Sequence, residues 1–138
     1  MTVRPLRPAD EPAVRSLQGH LEHANSALVA AALDGPFVGF VAEAAKSDTS
    51  GVVGYAVALP GREATLSELV VAPEARRAGH GRALLERVAA AADEALVVTT
   101  PAEMGPRAFY LSLGFEPDER LPGFYPDGTD ALRLVRRE

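Results

Sequence analysis

Residues 65–92 read TLSELVVAPEARRAGHGRALLERVAAAA. The run Thr65–Val71 is strand-like and stops at Ala72-Pro73. A short charged turn, Glu74–Arg77, leads to Gly79-His80-Gly81, and these open a segment with helical spacing. The first turn of a helix leaves backbone N–H groups without intrahelical partners at the positive end of the helix dipole. Two glycines there let a ligand approach the backbone, and Arg76, Arg77 and Arg82 add positive charge. Such a strand–turn–helix suits a phosphate or pyrophosphate.

Working outward, the segment after Gly81 places Leu84, Leu85, Val88 and Ala92 on one face. The apolar, β-branched run Ala95–Thr100 then reads as a buried strand. Pro106 is well placed to start a helix over Pro106–Leu113, and Gly114 to close it. Phe115–Arg120 and Thr129–Val135 read as a terminal strand pair around a loop holding Phe124 and Tyr125.

Toward the N-terminus, Val52–Leu59 alternates large Val53, Tyr55, Val57 and Leu59 with small Gly54, Ala56 and Ala58, so both faces are expected to be covered. With Phe37–Ala44 and Thr65–Val71 it forms an antiparallel meander. A first strand, Thr2–Arg7, precedes a helix that Asp10 is expected to cap and Gly19 to interrupt. A second helix is expected over Leu21–Leu33, closed by Asp34-Gly35-Pro36. The order is β-α-α-β-β-β-α-β-α-β-β, one α/β domain spanning residues 1–138.

The chain has 138 residues and no cysteine, which excludes a disulfide scaffold, thiolate metal sites and a cysteine nucleophile. The opening MTVRPLRPADEPAV has no apolar signal region. The longest apolar run, Ala27–Leu33, falls far short of the roughly 20 residues a membrane span needs. A cytoplasmic protein is expected, bound neither to membrane nor, at net charge −5, to nucleic acid through counterion release. His20 and His23, three apart, have no evident third ligand. A solvated surface explains them better than a metal, and no metal is expected.

At this point the chain resembles the GNAT superfamily of acyl-CoA-dependent N-acyltransferases. Arg76-Arg77-Ala78-Gly79-His80-Gly81 is similar to the family's pyrophosphate signature, Arg/Gln-x-x-Gly-x-Gly/Ala. Phe109-Tyr110-Leu111-Ser112-Leu113-Gly114-Phe115 is similar to its Tyr-x-x-x-Gly-Phe helix end. Rival glycine motifs fail: a dinucleotide fingerprint needs a glycine where Leu84 stands, and no Gly-Lys-Ser/Thr follows. The resemblance implies a mostly antiparallel twisted sheet with a central parallel pair splayed in a V, flanked by about four helices. It implies acetyl-CoA as acyl donor, held by Leu69, Val70, Val71, Arg76, Arg77, Ala78, Gly79, His80, Gly81 and Arg82. It places a strand bulge near Leu69–Val71 that frees a backbone amide, near Leu69 or Val70, for the oxyanion. The acceptor is then a primary amine on a small molecule or peptide, and relatives are often homodimers. The family often carries Asn and Ala where this chain has Glu103 and Pro106, which removes one expected cofactor contact.

Two residues are candidates for proton transfer. Plain alternation sets Leu66, Glu68 and Val70 on one face of the strand and Thr65, Ser67, Leu69 and Val71 on the other. An isolated carboxylate among apolar neighbours is costly, and burial favours its protonated form. That suits a proton acceptor for an ammonium, directly or through a water, the role many relatives give a Glu here. The plainer reading is a salt-bridged or edge-exposed glutamate. Tyr110, by the same resemblance, protonates the departing thiolate; otherwise it is a core tyrosine beside Phe109 and Leu113. Phe124 and Tyr125 wall the acceptor site, anchor their loop or form a dimer contact. Two non-enzymatic readings also stand, a silent acyl-CoA sensor and an interaction domain that has lost the cofactor.

Overall fold

The computed structural model describes residues 2–21, 27–44, 51–76, 78–102 and 106–137. Seven strands form one mixed sheet: β1 (Thr2–Pro5), β2 (Val38–Glu43), β3 (Val52–Leu59), β4 (Gly61–Val71), β5 (Ala92–Pro101), β6 (Glu116–Leu121) and β7 (Ala131–Arg137). Among the described residues four helices flank it: α1 (Glu11–Gln18), α2 (Leu28–Asp34), α3 (His80–Ala89) and α4 (Arg107–Ser112). The strand order is β1-β2-β3-β4-β5-β7-β6. Every neighbouring pair is antiparallel except β4–β5, which is parallel. This is the element order expected from the sequence.

The large–small alternation of β3 sets the two layers. Tyr55 and Val57 pack with Val14, Leu17 and Val29 from α1 and α2, while Ala56 and Ala58 pack with Leu84, Leu85 and Val88 from α3. The small residues let α3 approach closely; a Cβ built on Gly54 would lie 3.3 Å from a Leu84 methyl. Leu84 is fully buried. Leu84→Ala is accordingly expected to cost about 2–5 kcal/mol of stability, read from urea unfolding. A cost under about 1 kcal/mol would show that α3 does not anchor this core.

Several boundaries move. β4 begins at Gly61, because Pro60 alone links it to β3, and β5 begins at Ala92 rather than Ala95. Asp10 does not cap α1 with its side chain. Its carboxylate instead takes a two-pronged contact from Arg4, both at 2.8 Å, and the Arg7 amide at 2.8 Å. A nearby guanidinium is the stronger donor, and Arg4 holds the Asp10 carboxyl below its usual range. Of the helix expected over Leu21–Leu33, Leu21 is not helical and α2 begins only at Leu28; residues 22–26, with His23, and the turn Lys46–Ser50 lie outside the described residues. No helix among the described residues is long and apolar enough to cross a membrane.

Two irregularities in β4 make the site. The β3–β4 register passes from Ala58↔Leu66 to Val57↔Glu68, so Ser67 is an extra residue. The bulge therefore sits at Ser67, earlier than the Leu69–Val71 expected. It also overturns plain alternation: Leu66 joins the α3 layer, while Glu68 and Val70 turn toward α1. A one-residue insertion reverses the parity of everything beyond it. Second, the parallel ladder runs only from Gly61↔Ala92 to Leu66↔Val98. Past that point β4 and β5 no longer pair, and a gap opens between them.

Candidate functional site

The gap continues into a cavity of about 650 Å³. One wall is β4, through Leu69, Val70 and Val71; another is α4, through Phe109 and Tyr110, with Pro106 before it. The start of α3 closes one end, and His20 and Leu21, which follow α1, flank the other side.

The strand presents backbone as well as side chains. The Ala72 amide donates to the Val53 carbonyl at 2.8 Å. In an antiparallel pair the residues that bond to the partner alternate. Counting back through Gly54↔Val71, Val70 turns its N–H to β3, while Leu69 and Val71 turn theirs into the gap. Arg76 agrees with this, because its Nε donates 3.1 Å to the Val71 carbonyl. The amides facing the cavity are thus those of Leu69 and Val71, not that of Val70.

At the end formed by α3, Gly79 stands at the N-cap with φ 87°, a left-handed conformation that glycine adopts without strain. No side chain caps this helix. The first amides of His80, Gly81 and Arg82 therefore face the cavity region without an intrahelical acceptor. A Cβ on Gly81 would lie 3.2 Å from the Phe109 ring, which would have to give by a few tenths of an ångström. Buried His80 brings Nδ1 3.1 Å from the Ala75 carbonyl. A carbonyl only accepts, so the proton sits on Nδ1, and the contact ties the turn to the helix start. Arg76, Gly79, His80, Gly81 and Arg82 all line the cavity. Ala78 is exposed on the turn and does not, and Arg77 lies outside the described residues.

Tyr110 is buried on α4, its ring edge-on to Phe109 (5.2 Å) and Phe115 (5.5 Å). Burial, and secondarily the nearby Tyr125, pushes its phenol above the ordinary tyrosine value. It reaches the cavity wall. Arg107 does not: its Nη1 donates 2.8 Å to the Ala102 carbonyl, fastening the start of α4. Glu103 lies outside the described residues.

Glu68 is buried, 6 % exposed, but is not isolated. Its Oε1 accepts the Tyr55 hydroxyl at 2.8 Å and the Gln18 amide at 3.0 Å. Nor does it line the cavity; Val70, on the same face and two residues on, does. Burial and the carboxylate together push the Tyr55 phenol up, so it remains a donor. Gln18, Tyr55 and the wall residues His20 and Leu21 belong to no motif. Tyr125 stacks edge-on against Phe124 at 5.1 Å, and Phe124 is 53 % exposed. Among the described residues no three His, Asp or Glu side chains converge as metal ligands.

A family model for the acetyltransferase (GNAT) domain matches residues 26–117. No curated protein matches the chain. Among solved structures, the ribosomal-protein-S18-alanine N-acetyltransferase from Escherichia coli superposes with a TM-score of 0.80 at 25 % identity, covering 99 % of this chain and 92 % of that one. Naa20 of Chaetomium thermophilum, bound to a bisubstrate analogue, superposes at 0.81 and 25 % identity, covering 99 % and 86 %. Arabidopsis thaliana NAA60 with acetyl-CoA shares the fold at 0.84 and 17 % identity, covering 99 % and 97 %.

Proposed function

The chain belongs to the acetyltransferase (GNAT) family, and from that premise we propose that it transfers the acetyl group of acetyl-CoA to a primary amine. The observation that carries this is the cavity where β4 and β5 part. It joins a positively charged helix start to inward-facing strand amides. The diphosphate suits the first amides of α3 with Arg76 and Arg82. Ala78, on the same turn, and Arg77, next to it in sequence, complete the signature. Pantetheine runs along Leu69–Val71, and the Leu69 and Val71 amides are placed to hold its amides and the thioester oxygen.

The amine attacks directly, with both substrates bound. Its ammonium proton passes to the Glu68 carboxylate through a water, because that carboxylate lies behind the wall rather than on it. The nitrogen lone pair forms the new C–N bond at the thioester carbon as an amide N–H stabilises the oxygen. The C–S bond then breaks as Tyr110 gives its proton to the sulfur; the second proton of the attacking nitrogen restores the Tyr110 phenol through water, and Glu68 returns the first to solvent. The products are an acetamide and a free thiol. No residue in this scheme calls for a metal.

The Escherichia coli neighbour acts on an alanine of ribosomal protein S18, and Naa20 was captured with a bisubstrate analogue. Peptide amines therefore lead the acceptor panel, followed by free amino acids, polyamines and aminoglycosides. Incubation with acetyl-CoA and each amine is expected to release thiol, read with a thiol-reactive dye, with at least one of them. Acetyl-CoA binding without thiol release from any amine would instead mark a silent acyl-CoA-binding domain.

A further inference from the structure

We propose that Gln18 and Tyr55 are positioning residues that aim the Glu68 carboxylate; the inference rests on the proposed role of Glu68 as proton acceptor. The three come from α1 and from the neighbouring strands β3 and β4. All three are buried: Tyr55 fully, Glu68 and Gln18 at 6 % and 7 % exposure. The phenol and the amide donate to the same oxygen, Oε1, at 2.8 and 3.0 Å. A glutamate side chain has three torsions, and two donors converging on one oxygen define where the carboxylate points. Both donors are neutral, so they fix its direction without pairing it with an opposite charge. The bulge at Ser67 is what makes the meeting happen, since without it Glu68 would turn into the α3 layer.

The arrangement also has a direction. Gln18 ends α1, and two and three residues later His20 and Leu21 stand on the cavity wall. On β4, Val70 stands on that wall two residues from Glu68, roughly 7 Å along the strand. The hydrogen bond between Gln18 and Glu68 thus fastens the His20–Leu21 side of the cavity to the strand that carries the carboxylate. A fastening used only for folding would change stability alone. A positioning role changes turnover, and only when the carboxylate is present.

The test is a double-mutant cycle on the full-length enzyme with acetyl-CoA and the best amine from the panel. Tyr55→Phe removes one hydroxyl, and Gln18→Met replaces the amide at nearly constant volume. Each is expected to lower kcat about threefold to tenfold, the worth of one buried hydrogen bond, with KM for acetyl-CoA unchanged. In a Glu68→Gln background, which loses more on its own, neither substitution is expected to cost anything further. Melting temperatures identify any variant that fails to fold, and Gln18→Asn, which keeps an amide but falls short of Glu68, then replaces Gln18→Met. Losses that multiply with that of Glu68→Gln, or wild-type kcat in the Tyr55 and Gln18 variants while Glu68→Gln is impaired, overturn the positioning role. Wild-type turnover in Glu68→Gln overturns the proton-acceptor reading beneath it.

Discussion

Tyr110→Phe is expected to lower kcat by about a hundredfold or more, the usual worth of a well-placed proton donor, while leaving acetyl-CoA affinity where it was. The ring is held between Phe109 and Phe115 and is 4 % exposed. Phenylalanine keeps that packing. Among the described residues no group hydrogen-bonds the Tyr110 hydroxyl, so its removal orphans no partner and the melting temperature should scarcely move. What disappears is one O–H on the cavity wall. Burial, and secondarily the nearby Tyr125, hold the phenol above its ordinary value. The group is therefore fully protonated at neutral pH and loses its proton only above about pH 10. An acid must carry its proton to act, so activity should hold as pH rises to about 10, with no decline from this residue below that. The same upward shift makes the phenol a weaker acid in water. The departing thiolate is desolvated in the same cavity, and desolvation raises its basicity in parallel. Isothermal titration and initial rates on wild type and variant decide the matter. Wild-type kcat in Tyr110→Phe removes Tyr110 from the chemistry and leaves it a packing residue.

The sequence carried the strand–turn–helix of residues 65–92 because its signals are local. A β-branched run, a proline stop, paired glycines and an apolar helical face each act over a few residues. The layered sheet was legible for the same reason, through the large–small alternation of Val52–Leu59. The bulge at Ser67 was not. TLSELVV reads as a regular strand in either parity, because Leu66, Leu69, Val70 and Val71 find apolar neighbours on both faces. Only Glu68 discriminates between the two registers, and it does so through partners 13 and 50 residues away. Periodicity has no access to contacts of that range. Alternation nevertheless placed Glu68 beside Val70, because the inserted residue lies before both. The opening between β4 and β5 was expected from the resemblance rather than from any residue pattern. His20 looked like a solvated residue since it is exposed; that it stands on the cavity wall depends on where α1 ends relative to β4. Cavity-wall residues carried by local motifs were legible, and those supplied by the packing of distant elements were not.

The pyrophosphate end allows a sharper test than removing positive charge. Gly79→Asp combined with Arg76→Glu is expected to raise the Kd for acetyl-CoA about 10²- to 10³-fold, the loss of two charge-assisted contacts. The substitutions are chosen to spare the fold. Asp tolerates the left-handed conformation that Gly79 adopts at φ 87° better than most side chains, at a cost of about 1–2 kcal/mol that the melting temperature reads. It adds a negative charge beside the first-turn amides that would otherwise receive the diphosphate. Arg76 is exposed and spends one donor on the Val71 carbonyl; glutamate there reverses the remaining attraction without opening the core. Salt dependence supplies a second readout, because wild-type affinity should fall with ionic strength and the variant's residual affinity should fall less. With acetyl-CoA raised to saturation the variant should recover much of its kcat, since the Leu69 and Val71 amides and Tyr110 are untouched. Tyr110→Phe should show the opposite pattern, full affinity with little turnover. Wild-type affinity in the doubly substituted protein would show that the start of α3 does not bind the diphosphate. Parallel losses of affinity and saturated kcat in both variants would show that the cavity does not divide into a binding half and a chemical half.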